Sequence, residues 1–315
     1  MKEARILRRY SVWFVACFLF LLGAVQLMAA RQDKKDAAQT TNQPSATAAA
    51  DASQYVGSET CKGCHEDQFK NTEASPHYRI FSNTGRGEQW HGCESCHGPG
   101  AAHVNGGGDK TKIFTFKDVK PEEITARCMT CHEKNAEHMT FNRSVHARAG
   151  VTCTTCHSVH KPKVEEQLLV QKSPDLCYSC HQEIKADFNK PFRHRVNEGL
   201  ISCNDCHSAH GTNMPEQLRS ASAQDAVCFK CHADKRGPFV FEHYPVKSEG
   251  CQACHTPHGS TNPRLLTRAR VNSLCLECHG DVLPSGPHPQ NTKSQACTLC
   301  HVAIHGSNTS NILFK

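Results

Sequence analysis

Residues 203–210 read Cys-Asn-Asp-Cys-His-Ser-Ala-His, and this stretch decides the fold because the pattern of its first five positions occurs ten times. Twenty of the 21 cysteines lie in C-x-x-C pairs, and every pair is followed at once by histidine. We number the motifs 1 to 10 by their first cysteines: Cys61, Cys93, Cys128, Cys153, Cys177, Cys203, Cys228, Cys251, Cys275 and Cys297. The second cysteines are Cys64, Cys96, Cys131, Cys156, Cys180, Cys206, Cys231, Cys254, Cys278 and Cys300. The motif histidines are His65, His97, His132, His157, His181, His207, His232, His255, His279 and His301.

This motif has a chemical reading. C-x-x-C-H is the attachment motif of c-type haem. On a helical turn, positions i, i+3 and i+4 share one face, so two thiols can form thioethers with one porphyrin while the histidine ligates its iron. Zinc sites and disulfides also use paired cysteines, but neither requires a histidine directly after the second one. The sequence therefore predicts ten covalently attached haems c.

Ten further histidines occur at regular positions relative to the motifs, one after each. The even-numbered motifs, which we call close-histidine motifs, have a second histidine three to six residues after the motif histidine: His103, His160, His210, His258 and His305. The odd-numbered motifs, which we call isolated motifs, lack one. Each is followed further downstream by a lone histidine: His77, His146, His194, His243 and His288. We expect these ten to be the distal iron ligands. His91 and His138 fall outside the phase, and we do not expect them to ligate iron.

The alternation defines a repeat of two haems. Close-histidine motifs recur at intervals of 60, 50, 48 and 46 residues, which predicts a linear array whose units contact mainly their neighbours. A histidine three residues beyond the motif histidine cannot reach the opposite face of the same iron, so we expect it to cap a neighbouring haem. Iron with two histidine ligands has no open position for substrate, and its potential is low. The ligand count thus indicates an electron carrier rather than an enzyme.

The composition agrees with a fold built around cofactors. Hydrophobic residues make up 38% of the chain, cysteines included, which is too few for an ordinary core in a chain of this length. We therefore expect a mostly irregular chain with short α-helices and little or no β-structure, packed around the haems. The net charge is +6, with no basic stripe interleaved with aromatic residues. Nucleic-acid binding is thereby disfavoured.

The N-terminal region suggests export. Residues 1–30 have a basic start, an apolar run and small residues at the end, as in a signal peptide, with an uncleaved anchor as the alternative. Cys17 lies inside the apolar run and is expected to have no role. Residues 31–53 read as a flexible linker, and residues 54–315 as the decahaem cytochrome domain.

Several segments resemble the periplasmic decahaem cytochromes of the MtrA/DmsE type. These are Cys-His-Gly-Pro-Gly at 96–100, Cys-His-Ala-Asp-Lys-Arg-Gly-Pro at 231–238, Phe-Glu-His-Tyr-Pro-Val at 241–246, Cys-His-Thr-Pro-His-Gly-Ser at 254–260 and His-Gly-Ser-Asn at 305–308. The resemblance implies an elongated array of ten closely spaced bis-histidine haems and supports the same ten distal histidines. It also implies a periplasmic location at the outer membrane, a porin-like β-barrel partner there, other multihaem cytochromes as partners, and a periplasmic or inner-membrane electron donor.

Three functions are compatible with these features. The first is an electron conduit between the periplasm and the cell exterior. The second is a soluble periplasmic shuttle that delivers electrons to a reductase, and the third is a multihaem oxidoreductase. The direction of electron flow, the terminal donor or acceptor, and the assignment of each distal histidine to a haem remain open at the level of sequence.

Overall fold

The computed structural model describes residues 51–82, 85, 87–220, 224–280, 288 and 294–314. The expectations for residues 1–30 and for most of the linker fall outside this range. Residues 51–315 form one unit. It is mostly irregular, as the composition predicted, and among the described residues no helix is both long and apolar enough to span a bilayer.

The α-helices are short. Their bounds are Ser58–Lys62, Glu66–Glu73, Arg79–Ser82, Glu94–His97, Ala101–Asn105, Pro121–His132, Val145–Arg148, Cys153–Cys156, Asp175–Tyr178, Gln182–Asp187, Cys203–Cys206, Tyr244–Ser248 and Val271–Cys275. The 3-10 helices are single turns except for the seven-residue Gln224–Lys230. They are Ala52–Gln54, Pro76–Tyr78, Glu88–Trp90, Lys110–Lys112, Phe141–Arg143, Glu166–Leu168, Pro215–Gln217, Gln224–Lys230, Ala233–Lys235, Cys251–Ala253, Pro263–Leu265 and Cys297–Leu299.

Each motif closes one helical turn. In nine motifs the histidine N–H donates to the carbonyl of the first cysteine, four residues back, at 2.9–3.0 Å. Motif 3 lies at the end of the 12-residue helix Pro121–His132, which has a proline in its first turn followed by two glutamates, a favourable start for a helix. The expected helical geometry, with cysteine, cysteine and histidine on one face, is therefore present throughout.

One small sheet connects two repeats. Strands β1 (Phe192–Arg193) and β2 (Gly259–Ser260) pair antiparallel, with Arg193 opposite Gly259. The approach is so close that a Cβ on Gly259 would lie 2.0 Å from the carbonyl oxygen of Asp187. The sheet joins the residues just before His194 to those just after His258, and so brings lone and close histidines of different repeats together.

The protein core is thin. Nine apolar side chains are buried in the described part of the chain, and none of them is less than 2% exposed. The cluster of buried residues consists of Tyr178, Phe188 and Val196. So little burial of side chain by side chain fits a domain that is completed by large apolar cofactors.

Candidate haem sites

Every motif histidine faces one of the ten in-phase histidines. The ring centroids of each pair lie 6.0–6.4 Å apart. In motif order the pairs are His65–His103, His97–His160, His132–His77, His157–His210, His181–His146, His207–His258, His232–His194, His255–His305, His279–His243 and His301–His288. We call these pairs sites 1 to 10, after the motif that supplies the first histidine.

This separation suits an iron ion held between two imidazoles. Metal–imidazole bonds are about 2 Å long, and each ring centre lies about 1 Å beyond its ligating nitrogen, so two such ligands place their centroids about 6 Å apart. The rings are too far apart to stack directly. The residues present therefore fit a six-coordinate haem at each of the ten positions.

The pairing follows a register of two motifs. From motif 4 onward, the close histidine of each even motif pairs with the even motif before it, as His210 of motif 6 does with His157 of motif 4. Each of the first four lone histidines pairs forward with the next odd motif, as His146, which follows motif 3, does with His181 of motif 5. At the two ends the register changes. His103 pairs with motif 1 and His288 with motif 10, so no motif is left without a partner.

Consecutive motifs are also neighbours in space. The first cysteines of each odd motif and the next even motif form hydrogen-bonded pairs: Cys61–Cys93, Cys128–Cys153, Cys177–Cys203, Cys228–Cys251 and Cys275–Cys297. The second cysteines of each even motif and the next odd motif interact electrostatically: Cys96–Cys131, Cys156–Cys180, Cys206–Cys231 and Cys254–Cys278. The order of sites along the array is thus the order of motifs along the chain.

The thiol pKa values reflect these contacts. In the unmodified chain, the hydrogen bond from Cys61 lowers the pKa of Cys93 to about 6, and the bond from Cys128 lowers that of Cys153 to about 7. The pKa of each donor thiol rises correspondingly. Thioether formation would remove both titrations.

In the close-histidine motifs, the motif histidine is held by a backbone carbonyl. The five Nδ1 atoms lie 2.6–2.8 Å from carbonyl oxygens 9–17 residues downstream, in the pairs His97–Phe114, His157–Gln167, His207–Glu216, His255–Arg264 and His301–Ile312. Such a bond places the proton on Nδ1 and leaves Nε2 free to bind metal. We call the segments that supply these carbonyls return loops.

Three return loops share an unusual backbone. Their residue pairs at 167–168, 216–217 and 264–265 all have left-handed φ angles between 51° and 60°, and none is glycine. Each loop also accepts a backbone hydrogen bond from the residue after the motif histidine, at 2.8 Å. The cysteine and histidine pattern does not predict these loops. Two of them contain Glu-Gln-Leu, at 166–168 and 216–218, offset by one residue relative to the left-handed pair.

The isolated motifs are supported from the distal side. His146, His194 and His243 contact the carbonyls of Ala209, at 2.9 Å, of Pro257, at 2.6 Å, and of Ile304. Each of these carbonyls belongs to the residue directly before a close histidine. At site 1 the distal His103 bonds to the carbonyl of Asp109, and at site 2, which has a close-histidine motif, the distal His160 contacts the hydroxyl of Thr72.

Burial keeps many of these imidazoles neutral. Desolvation lowers the pKa of His97, His160, His258 and His305, and that of His210 to about 4. The neutral form is the one that ligates metal.

The two histidines outside the phase lie outside the ten pairs. His91 bonds through Nε2 to the carbonyl of Phe81 at 2.5 Å. The His138 ring lies edge-on between His132 and His210, with centroid distances of 5.3 and 4.6 Å. It has the wrong distance and angle to face either ring across an iron.

Comparison with known proteins agrees with the repeat and the motifs. A family described as the doubled CXXCH motif matches residues 146–186, 194–237 and 243–283, and each match contains two consecutive motifs. The multiheme cytochrome MtrA of Shewanella baltica (strain OS185) is 34% identical over 278 residues, covering 80% of this chain and 79% of the relative. The chain belongs to the MtrA family of multihaem cytochromes. As such it carries covalent c-type haem and transfers electrons rather than catalysing a reaction. The predicted family and fold class are confirmed.

Proposed function

We propose that this MtrA-family cytochrome carries ten bis-histidine haems c and conducts electrons along them, between the periplasm and the cell exterior, within an outer-membrane β-barrel partner. The twenty cysteines of the motifs would attach the haems, and the ten histidine pairs would ligate the irons. Haem supplies one-electron chemistry. The protein's part is to hold both axial ligands and to keep each site beside the next.

The single observation that supports conduction best is the unbroken proximity of consecutive motifs. Hydrogen bonds between first cysteines alternate with electrostatic interactions between second cysteines, from motif 1 to motif 10. Attachment cysteines that lie this near one another would keep neighbouring porphyrins close, which favours rapid electron transfer in either direction. With a histidine opposite every motif histidine, iron has no position for substrate.

A partner sheath is supported by charge. Each haem brings two propionates, so ten haems bring about 20 negative charges to a chain of net charge +6. Charge of this size is costly in hydrocarbon. A conduit of this composition would therefore need a protein wall around it, which a β-barrel partner provides. Residues 1–30 would direct export, and residues 54–315 would form the conduit.

The haem count and ligation can be tested together. Intact mass of the purified holoprotein should show ten haem additions, and its EPR spectrum should be low-spin throughout. Fewer additions, or a substantial high-spin signal from the intact protein, would contradict the assignment.

The location is tested separately. The cytochrome should co-purify with a β-barrel protein from detergent-solubilised outer membranes, and the same preparation from cells lacking the cytochrome gives the background. A cytochrome recovered only from the periplasmic fraction, with all ten haems in place, would indicate the soluble shuttle instead.

A further inference from the structure

Site 3 breaks the pattern of hydrogen bonds that the other sites follow. In sites 5, 7 and 9 the lone histidine contacts the carbonyl that precedes a close histidine. His77 of site 3 holds the equivalent position, and the repeat predicts the carbonyl of Val159 as its partner. Instead, His77 Nδ1 is buried with no acceptor among the described residues. No bond to a carbonyl is seen for its partner His132 within that part of the chain either.

The difference has a cause in the sequence. In the three later repeats, glycine follows the close histidine, at Gly211, Gly259 and Gly306. A Cβ on these glycines would lie 2.8 Å from Ser144 Cβ, 2.0 Å from the Asp187 carbonyl and 2.2 Å from the Phe239 ring.

Each of those contacts lies a few residues before the lone histidine that is held. The absence of a side chain is thus what lets the carbonyl approach. After His160 the residue is Lys161. A lysine cannot fit where even a methyl group would collide, which accounts for the lack of a carbonyl acceptor at His77 Nδ1.

The missing bond affects the iron. A carbonyl that accepts the Nδ1 proton makes imidazole a stronger electron donor, which stabilises ferric over ferrous iron and lowers the potential.

We propose that site 3 has the highest reduction potential of the ten and is where an electron rests in a partly reduced chain. The inference rests on the proposed function, since it assumes a bis-histidine haem at each site. The reduction potentials along the array would therefore differ, with the highest at the third site from one end.

A redox titration followed by EPR tests the assignment. In the wild type, one component with about a tenth of the low-spin signal should disappear first as the potential falls. His77→Met retains six-coordinate iron but changes its spectrum, so this component should be lost. His146→Met alters site 5 by the same chemistry and should leave it in place. Persistence of the first component in His77→Met would overturn the proposal.

Lys161→Gly tests the cause. By allowing the loop to approach His77, it should make site 3 about tenfold harder to reduce at the original midpoint, which is about 59 mV for a one-electron couple. Lys163→Gly, two residues along the same loop, should cause no shift.

Gly211→Ala should make site 5 easier to reduce, because the new methyl group would move the Ala209 carbonyl away from His146. An unchanged first component in Lys161→Gly would show that the lysine is not responsible. Wild-type protein with fewer than ten low-spin haems would instead signal failure of the underlying assignment.

Discussion

The two kinds of motif differ in which axial histidine is held by a backbone carbonyl, the one from the motif or the one on the opposite side of the porphyrin. In close-histidine motifs, the motif histidine itself is fixed by a return loop, as His207 is by the Glu216 carbonyl. In the isolated motifs other than motif 3, it is the distal histidine that is fixed, as His194 is by Pro257. One held imidazole is enough to orient a site, because the haem and its thioethers restrict the other. The alternation therefore lets each repeat hold its neighbour's haem with the same loop that carries its own.

Without haem, neither kind of motif should fold. The nine buried apolar side chains cannot offset the conformational entropy of some 260 residues, so the chain expressed without haem-attachment machinery should be unfolded. Circular dichroism and limited proteolysis would report this, with the holoprotein as reference. A cooperative thermal transition in the haem-free chain would contradict it.

Removing one distal histidine should affect one site only. His243→Ala should convert site 9, one haem in ten, to high-spin iron, because His279 would lose the ring 6.3 Å away. His138→Ala should leave every haem low-spin, since His138 belongs to no pair. EPR of both variants makes the comparison, and new high-spin iron in His138→Ala would mean that the pairing is wrong.

Crowding the contact between two repeats should destabilise the fold. In Gly259→Ala the new methyl group would collide with the Asp187 carbonyl, and we expect a loss of about 2–3 kcal/mol in the free energy of unfolding. Gly280→Ala is the control, because the nearest atom to its Cβ would be 4.0 Å away. Denaturant titration of the two holoproteins measures the difference, and equal midpoints would show that the close approach is not needed.

The smallest effect should come from a return loop. Glu216 is exposed and has φ 51°, so Glu216→Gly should keep or slightly raise stability. Glu216→Val should cost about 1–2 kcal/mol, because β-branched residues avoid left-handed backbone. The EPR g values of site 6 should shift only in the valine variant, where the carbonyl moves away from His207. Identical behaviour of the two variants would count against an orienting role for this loop.

The motifs and the phase of the histidines could be read from the sequence because each is a fixed spacing of chemically distinctive residues. The pairing could not, since His160 and His97 are 63 positions apart and meet only after the repeats have packed. The return loops were also out of reach. Gln167 and Leu168 are residue types that rarely adopt positive φ, and only the closed loop forces them to do so. The missing hydrogen bond of His77 Nδ1 also depends on the folded structure, where it is recognised by comparison with the held histidines His146, His194 and His243.

The two-motif register has a consequence for how the protein matures. Haem attachment needs only the local C-x-x-C-H, so it can proceed motif by motif as the chain emerges. In the proposed array, however, ligation of site 8 would require His305, which lies 50 residues beyond its motif histidine His255. A chain cut just before His305 would therefore retain every attachment cysteine and still contain one five-coordinate, reactive iron. Completion of the C-terminal residues is what closes the array, so spin state reports whether assembly has finished.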